Sequence, residues 1–127
     1  MSHKSLEDVV VLEQRIVELE DKIRRLLGLV DPDRHPFTYL TLEMDVTKQQ
    51  VGAIFNLMDE AHKSLSSKKP MEHHDFERRV YSIVPNHDGD YHFAEDIVRT
   101  LADSDQYTDV YDHMRKSGMN LEPREKS

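Results

Sequence analysis

The sequence has no cysteine, few glycines and no long apolar run, and each shortage excludes a class of protein. Without cysteine the chain cannot form a disulfide framework, a thiol nucleophile, an iron–sulfur cluster or a thiolate zinc site. Its four glycines match neither a phosphate-binding loop nor a glycine-built oxyanion loop. The longest apolar run, Val9–Leu12, is too short for a membrane span or a signal-peptide core. We therefore expect a soluble, cytoplasmic protein that does not associate with membranes.

Acidic residues outnumber basic residues by 25 to 17, so the 127-residue chain has a net charge of −8. Most of this charge lies in residues 86–112, where Arg99 alone opposes eight acidic residues. These are Asp88, Asp90, Glu95, Asp96, Asp103, Asp105, Asp109 and Asp112. Such a surface repels phosphate backbones, so we expect no direct binding of nucleic acid. It leaves open the hypothesis of an acidic nucleic-acid mimic that blocks a DNA- or RNA-binding protein.

An unbroken heptad pattern occupies the first thirty residues. Apolar side chains recur there at alternating spacings of 3 and 4, with β-branched residues at every a position and leucine at every d position. The pattern consists of Val9, Leu12, Ile16, Leu19, Ile23, Leu26 and Val30. This combination is typical of two parallel strands, so we predict a long helix over 6–29 that forms a homodimer or a higher oligomer. The alternative is an amphipathic helix that packs within an intramolecular bundle.

Shorter helices are predicted after the proline-containing breaker segment 31–36. Pro36 is suited to the first position of a short helix, and Thr47 with Gln50 matches a capping box that opens a longer one. Further helices are expected over about 73–84, from Asp90 or Tyr91, and from an N-cap at Ser104 as far as Gly118. No segment of useful length alternates with a period of two, which indicates an all-α class.

The predicted architecture is one helical domain over residues 1–118, followed by a polar tail over 119–127. The domain consists of the heptad helix over 6–29 and a bundle of short helices over 36–116. The total is about five or six helices, of which the first is long and resembles a coiled-coil strand.

Two carboxylate–histidine pairs at helical spacing are the best candidates for a metal site. They are Asp59 with His62 and Asp109 with His113. Metal sites in helical bundles use such pairs from facing helices, so a metal-dependent hydrolase is one alternative function. His62 lies on an apolar helix face, a position more typical of a hydrogen-bonded core histidine. The adjacent rings of His73 and His74 should diverge by about 100° on a helix and should not chelate together.

The turn around Gly89 resembles a calcium loop only in part. Asn86, Asp88 and Glu95 fall on liganding positions, but Val84 at the first position offers no oxygen. We interpret the segment as a tight turn with a helix cap. Asp105, Asp109 and Asp112 similarly predict a solvated acidic helix face rather than a cation site. We therefore predict no metal, no cofactor and no catalytic residue.

The segment Leu19–Leu65 carries a family resemblance. It contains Val30-Asp31-x-Asp33-Arg34-His35-Pro36-Phe37 after a helix rich in Leu and Ile, then a helix with Val51-x-x-Ile54-Phe55-x-Leu57-x-x-Glu60 after Thr47. In this order the chain resembles the YhaI-like family of Gram-positive bacteria, small all-helical cytoplasmic proteins of unknown function. The likeness covers roughly residues 10–115. It implies a helical fold and transfers no catalytic residue and no ligand.

The sequence as a whole therefore predicts a protein that binds other proteins and is not an enzyme. We expect an interaction or regulatory module whose first partner is a second copy of the chain, with room for a further protein partner. The hydrolase built on Asp59, His62, Asp109 and His113, and the acidic mimic built on residues 86–112, are the two alternatives.

Overall fold

The computed structural model describes residues 5–90 and 92–124. Within these residues it contains α-helices, one short 3₁₀ turn at Pro85–His87 and no strand, which confirms the predicted all-α class. The helices are α1 (Leu6–Leu27), α2 (Pro36–Glu43), α3 (Lys48–Ser64), α4 (His73–Ile83), α5 (Phe93–Asp103) and α6 (Thr108–Ser117). The chain separates into two units, Met1–Asp31 with α1 and Pro32–Ser127 with α2 to α6. The prediction of one helical domain over 1–118 stays a prediction.

Helix α1 begins at a capping box that the sequence analysis did not identify. The Asp8 N–H donates to Ser5 Oγ at 3.2 Å, and the Ser5 N–H donates to Asp8 Oδ2 at 3.3 Å. Two otherwise unpaired amides of the first turn are thereby satisfied. The helix ends at Leu27, two residues before the predicted end, and Gly28 is its C-cap.

Helices α2 and α3 begin where the sequence predicted. Pro36 is the first residue of α2, where its missing N–H costs no helical hydrogen bond. Thr47 and Gln50 form the expected capping box: the Gln50 N–H donates to Thr47 Oγ1 at 3.2 Å, and the Thr47 N–H donates to Gln50 Oε1 at 2.9 Å. This box fixes the direction in which α3 leaves the turn.

The core of the second unit is formed by one face of each of its helices. Its largest fully buried side chains are all less than 2% exposed, and they belong to a single apolar cluster. They are Phe76, Phe93, Ile54, Leu57, Met58, Ile97, Leu101, Met114, Val80, Val84, Val98 and Val110. His62, which was expected on the apolar face of α3, instead has a side chain that is 58% exposed. The buried face of α3 runs through Leu57, Met58 and Ala61 and passes beside it.

The start of α6 differs from the prediction that Ser104 is its N-cap. Ser104 is the C-cap of α5, and the N-cap of α6 is Tyr107. The chain reverses between the two helices, and both Asp105 (φ 58°) and Tyr107 (φ 54°) adopt the left-handed conformation. The new helix can begin only after this reversal. The start of α5 also shifts, to Phe93, and the predicted alternative start at Tyr91 lies outside the described residues.

Residues 119–124 are not the purely polar tail that the sequence predicted for 119–127, of which 125–127 lie outside the described residues. Met119 is 3% exposed and Leu121 is 9% exposed, and both belong to the core. Gly118, with φ 121°, turns the chain back after α6. The Tyr111 hydroxyl then donates to the carbonyl of Glu122. Two apolar residues in a polar stretch carry no periodic signal, which is why the sequence did not indicate their burial.

Candidate interaction surface

The heptad residues of α1 form an exposed apolar stripe on the isolated chain. The side chains of Leu12 and Leu19, for example, have exposures of 42% and 54%, and Leu26 reaches 63%. We call the set Val9, Leu12, Ile16, Leu19, Ile23, Leu26 and Val30 the seam; of these only Val30 is half-buried. No residue of α1 is buried. A contiguous exposed apolar patch of this kind is typical of an interaction site.

Further apolar side chains widen the exposed surface beside the seam. Leu6 is 85% exposed, Leu29 is 83% exposed, and Leu27 is half-buried. On one flank, Val10 and Val17 border a shallow groove of about 630 Å³. Fully burying one side chain of this type contributes roughly 1.5–3 kcal/mol, so covering the stripe would release a substantial free energy.

The carboxylate–histidine pairs predicted from the sequence combine across two helices rather than within one. His62 Nδ1 on α3 lies 2.5 Å from Asp109 Oδ2 on α6. Asp59 Oδ1 accepts a hydrogen bond from the Tyr107 hydroxyl at 2.6 Å. His113, the fourth candidate, points elsewhere: its Nε2 donates to the Met71 carbonyl at 2.9 Å. The four side chains therefore do not converge on one point. Nowhere in residues 5–90 and 92–124 do three or more His, Asp or Glu side chains form a group that could hold a metal ion.

The hydrogen bond between Tyr107 and Asp59 accompanies a large change in the acidity of the Tyr107 hydroxyl. Removal of the hydroxyl from water raises its pKa to about 12, and the hydrogen bond to Asp59 and the charge of that carboxylate act in the same direction. No sequence pattern indicated the bond between Tyr107 and Asp59. A contact between residues 48 positions apart has no local sequence signal.

The histidines of the second unit connect its helices. His73 Nδ1 lies 2.8 Å from Ser117 Oγ, which also accepts from the His73 N–H at 2.9 Å. His87 Nε2 donates to the carbonyl of Met44 at 2.6 Å. The prediction that the rings of His73 and His74 diverge is wrong, because their centroids lie 3.8 Å apart.

The segment around Gly89 forms a tight turn, as the sequence analysis expected. The 3₁₀ turn Pro85–His87 occupies its first half, and Gly89 follows with φ 111°. His87 closes the turn: its Nδ1 lies 2.9 Å from Asp90 Oδ2, and its ring stacks on Phe93 at 4.7 Å. The side chains of this segment thus stabilise the turn and the start of α5.

Most carboxylates of the acidic segment 86–112 have a basic or imidazole partner nearby. The pairs are Asp90 with His87, Glu95 with His92, Asp96 with Arg99, Asp105 with Arg124 and Asp109 with His62. The paired carboxylates are therefore spread along the whole segment and do not form one acidic cluster. A groove of about 930 Å³ along α5 is lined by both signs of charge, and its Arg99 and Arg124 already belong to such pairs.

Comparison with known proteins identifies a family without a known activity. The model of the family described as "Protein of unknown function (DUF1878)" matches residues 10–117. The match covers most of α1 as well as the helices of the second unit. No solved structure matches the chain. None of the described helices is both long and apolar enough to cross a membrane.

Proposed function

The chain belongs to the DUF1878 family of proteins of unknown function, and we propose that it is a non-enzymatic protein-interaction module that self-associates through the seam of α1. The observation that carries this proposal is the exposure of the seam, with Ile16 at 54% and Ile23 at 57%. Water around such side chains is released when two apolar surfaces meet, and this drives association.

The side chains of the seam favour a second copy of the same chain as the partner. Valine and isoleucine at the a positions with leucine at the d positions fit the layers of a two-stranded coil. The same stripe on a second copy supplies matching layers along α1 from Val9 to Leu26, whereas Val30 follows the end of the helix. A homodimer is therefore the simplest assembly. A regulatory role would depend on a further protein partner that binds to this dimer.

The non-enzymatic character of the module is part of the same proposal. It is supported by the use of the candidate side chains as links between helices: His62 with Asp109, and His113 with a backbone carbonyl. Such contacts explain the presence of histidine and aspartate at these positions without a catalytic role. The finer resemblance to the YhaI-like family is also part of this proposal.

Sedimentation velocity and light scattering of the full chain at micromolar concentration test the proposal. We expect a dimer for the native protein and a monomer for the double variant Ile16→Asp/Ile23→Asp, because the seam would then bury unpaired charges. The matched control is Val11→Asp, since Val11 is 53% exposed but lies at a c position outside the seam. It should leave the dimer intact. A native protein that stays monomeric throughout this concentration range would contradict the proposal.

A further inference from the structure

We infer that two copies of α1 pair in parallel and in register, so that identical seam residues face each other. This inference rests on the proposed self-association and adds the orientation of the second copy. The charged residues that flank the seam carry the argument, because residues at the e and g positions set the orientation of coiled coils.

The parallel arrangement brings opposite charges together across the seam. With Ile16 at an a position, Arg15 lies at g and Glu20 lies at the next e position. In a parallel pair, each g residue faces the e residue of the following heptad in the other chain. Arg15 of one copy then faces Glu20 of the second copy, and twofold symmetry forms the same pair again on the opposite side.

Both side chains are available for this contact. Arg15 and Glu20 are exposed, and within the described part of the chain neither takes part in an ion pair. The ion pair that α1 does contain, Asp21 with Arg25 at 3.0 Å, occupies f and c positions on the outer side of the helix. The ion pair on the outer face therefore does not engage Arg15 or Glu20, which flank the seam.

One like-charged contact opposes the parallel arrangement, and the structure weakens it. Asp8 at g would face Glu13 at e of the second copy. The Asp8 carboxylate, however, accepts from the Ser5 N–H of its own helix at 3.3 Å as part of the capping box. It is therefore drawn toward the helix N-terminus, whose dipole stabilises a negative charge, and away from the second copy.

The antiparallel arrangement brings like charges together at every central contact. When such a pair keeps the seam in contact from Val9 to Leu26, g residues face g residues and e residues face e residues. Arg15 then meets Lys22, and Glu13 meets Glu20, each twice by symmetry. The same apolar side chains are buried in both orientations, so the flanking charges favour the parallel one.

Charge reversal distinguishes the two orientations by the sign of its effect. In a parallel dimer, Arg15→Glu and Glu20→Arg should each raise the dimer Kd about tenfold, because two opposite-charge pairs become like-charge pairs. An equimolar mixture of the two variants should recover native affinity, since the mixed dimer restores both opposite pairs. The control Glu18→Arg, at a c position, should change the Kd by less than about twofold. In an antiparallel dimer, Arg15→Glu would face Lys22 and tighten association.

Disulfide cross-linking of the full chain provides the second readout. Because the native chain has no cysteine, Ile16→Cys introduces the only thiol. In the parallel pair it faces itself and should oxidise to a covalent dimer; in the antiparallel pair it faces position 19 and should link only to Leu19→Cys. A native protein that is monomeric refutes the self-association itself. A dimer in which Arg15→Glu tightens binding, or Ile16→Cys links only to Leu19→Cys, refutes the parallel orientation alone.

Discussion

The Tyr107 hydroxyl donates to Asp59 Oδ1 at 2.6 Å and so joins the start of α6 to the fourth turn of α3. Tyr107 also has a left-handed backbone conformation, which costs a residue with a side chain about 1–3 kcal/mol unless its surroundings hold it there. The bond to Asp59 and the ring contact with Phe55 at 6.4 Å are the interactions that hold it.

This contact predicts a loss of stability at alkaline pH. The pKa of Tyr107 is about 12 in the folded chain and 10.0 for the free side chain. The fold therefore favours the neutral phenol. The contribution of Tyr107 to the free energy of unfolding is complete below pH 10 and is lost as the pH rises toward 12. Urea unfolding at a series of pH values should show a steeper decline for the native protein than for Tyr107→Phe. The variant Tyr39→Phe, on α2, is the control and should retain the native slope.

Two glycines predict opposite effects of the same substitution. Gly118 has φ 121°, and a Cβ there would lie 2.9 Å from His73 Cε1. Gly118→Ala should therefore lower the free energy of unfolding by about 1–3 kcal/mol. Gly52 lies within α3 with nothing within 4 Å of its Cβ position, so Gly52→Ala should raise stability by about 0.5–1 kcal/mol. Thermal unfolding of both variants measures the two signs, and equal signs would contradict this interpretation.

The buried residues after α6 predict that the C-terminal segment stabilises the second unit. Met119→Ala should lower the free energy of unfolding by about 2 kcal/mol, because it leaves a cavity beside the core. Asn120→Ala changes the exposed neighbour and should stay within about 0.5 kcal/mol of the native value. Chemical denaturation compares them. A freely solvated tail would show the two variants to be equally stable.

The division of the chain predicts that residues 32–127 fold without α1. Every buried residue of the core lies between Phe37 and Leu121, and α1 contributes none. The fragment should show a cooperative unfolding transition, and it should remain monomeric at concentrations where the full chain associates. Circular dichroism and sedimentation measure the two properties. Loss of cooperative unfolding in the fragment would show that α1 is needed for folding.

Local sequence signals were sufficient for most helix boundaries. Pro36 and the Thr47 capping box act within a few residues, so the sequence contains all the information that positions them. The absence of a period of two likewise sufficed for the all-α class. Such signals depend on the period of the helix and not on the arrangement of helices in space.

The features that escaped prediction depend on contacts between distant residues. The burial of Met119 and Leu121 follows from the turn at Gly118, which directs the chain back toward the core. The contact of His62 with Asp109 joins two pairs that the sequence suggested separately. Neither could be read from spacing within one helix. The association of α1 remains a prediction, because its partner lies outside the single chain.

The exposure of α1 has a consequence for how this protein can vary among relatives. A side chain inside a packed interior is constrained by all of its neighbours, so few replacements are tolerated there. No side chain of α1 is buried within a single copy of the chain, so it lacks the packed neighbours that constrain a core residue. Under the proposed pairing, exchanges at Leu12 or Ile23 would change the affinity between copies and leave the interior near Phe76 untouched.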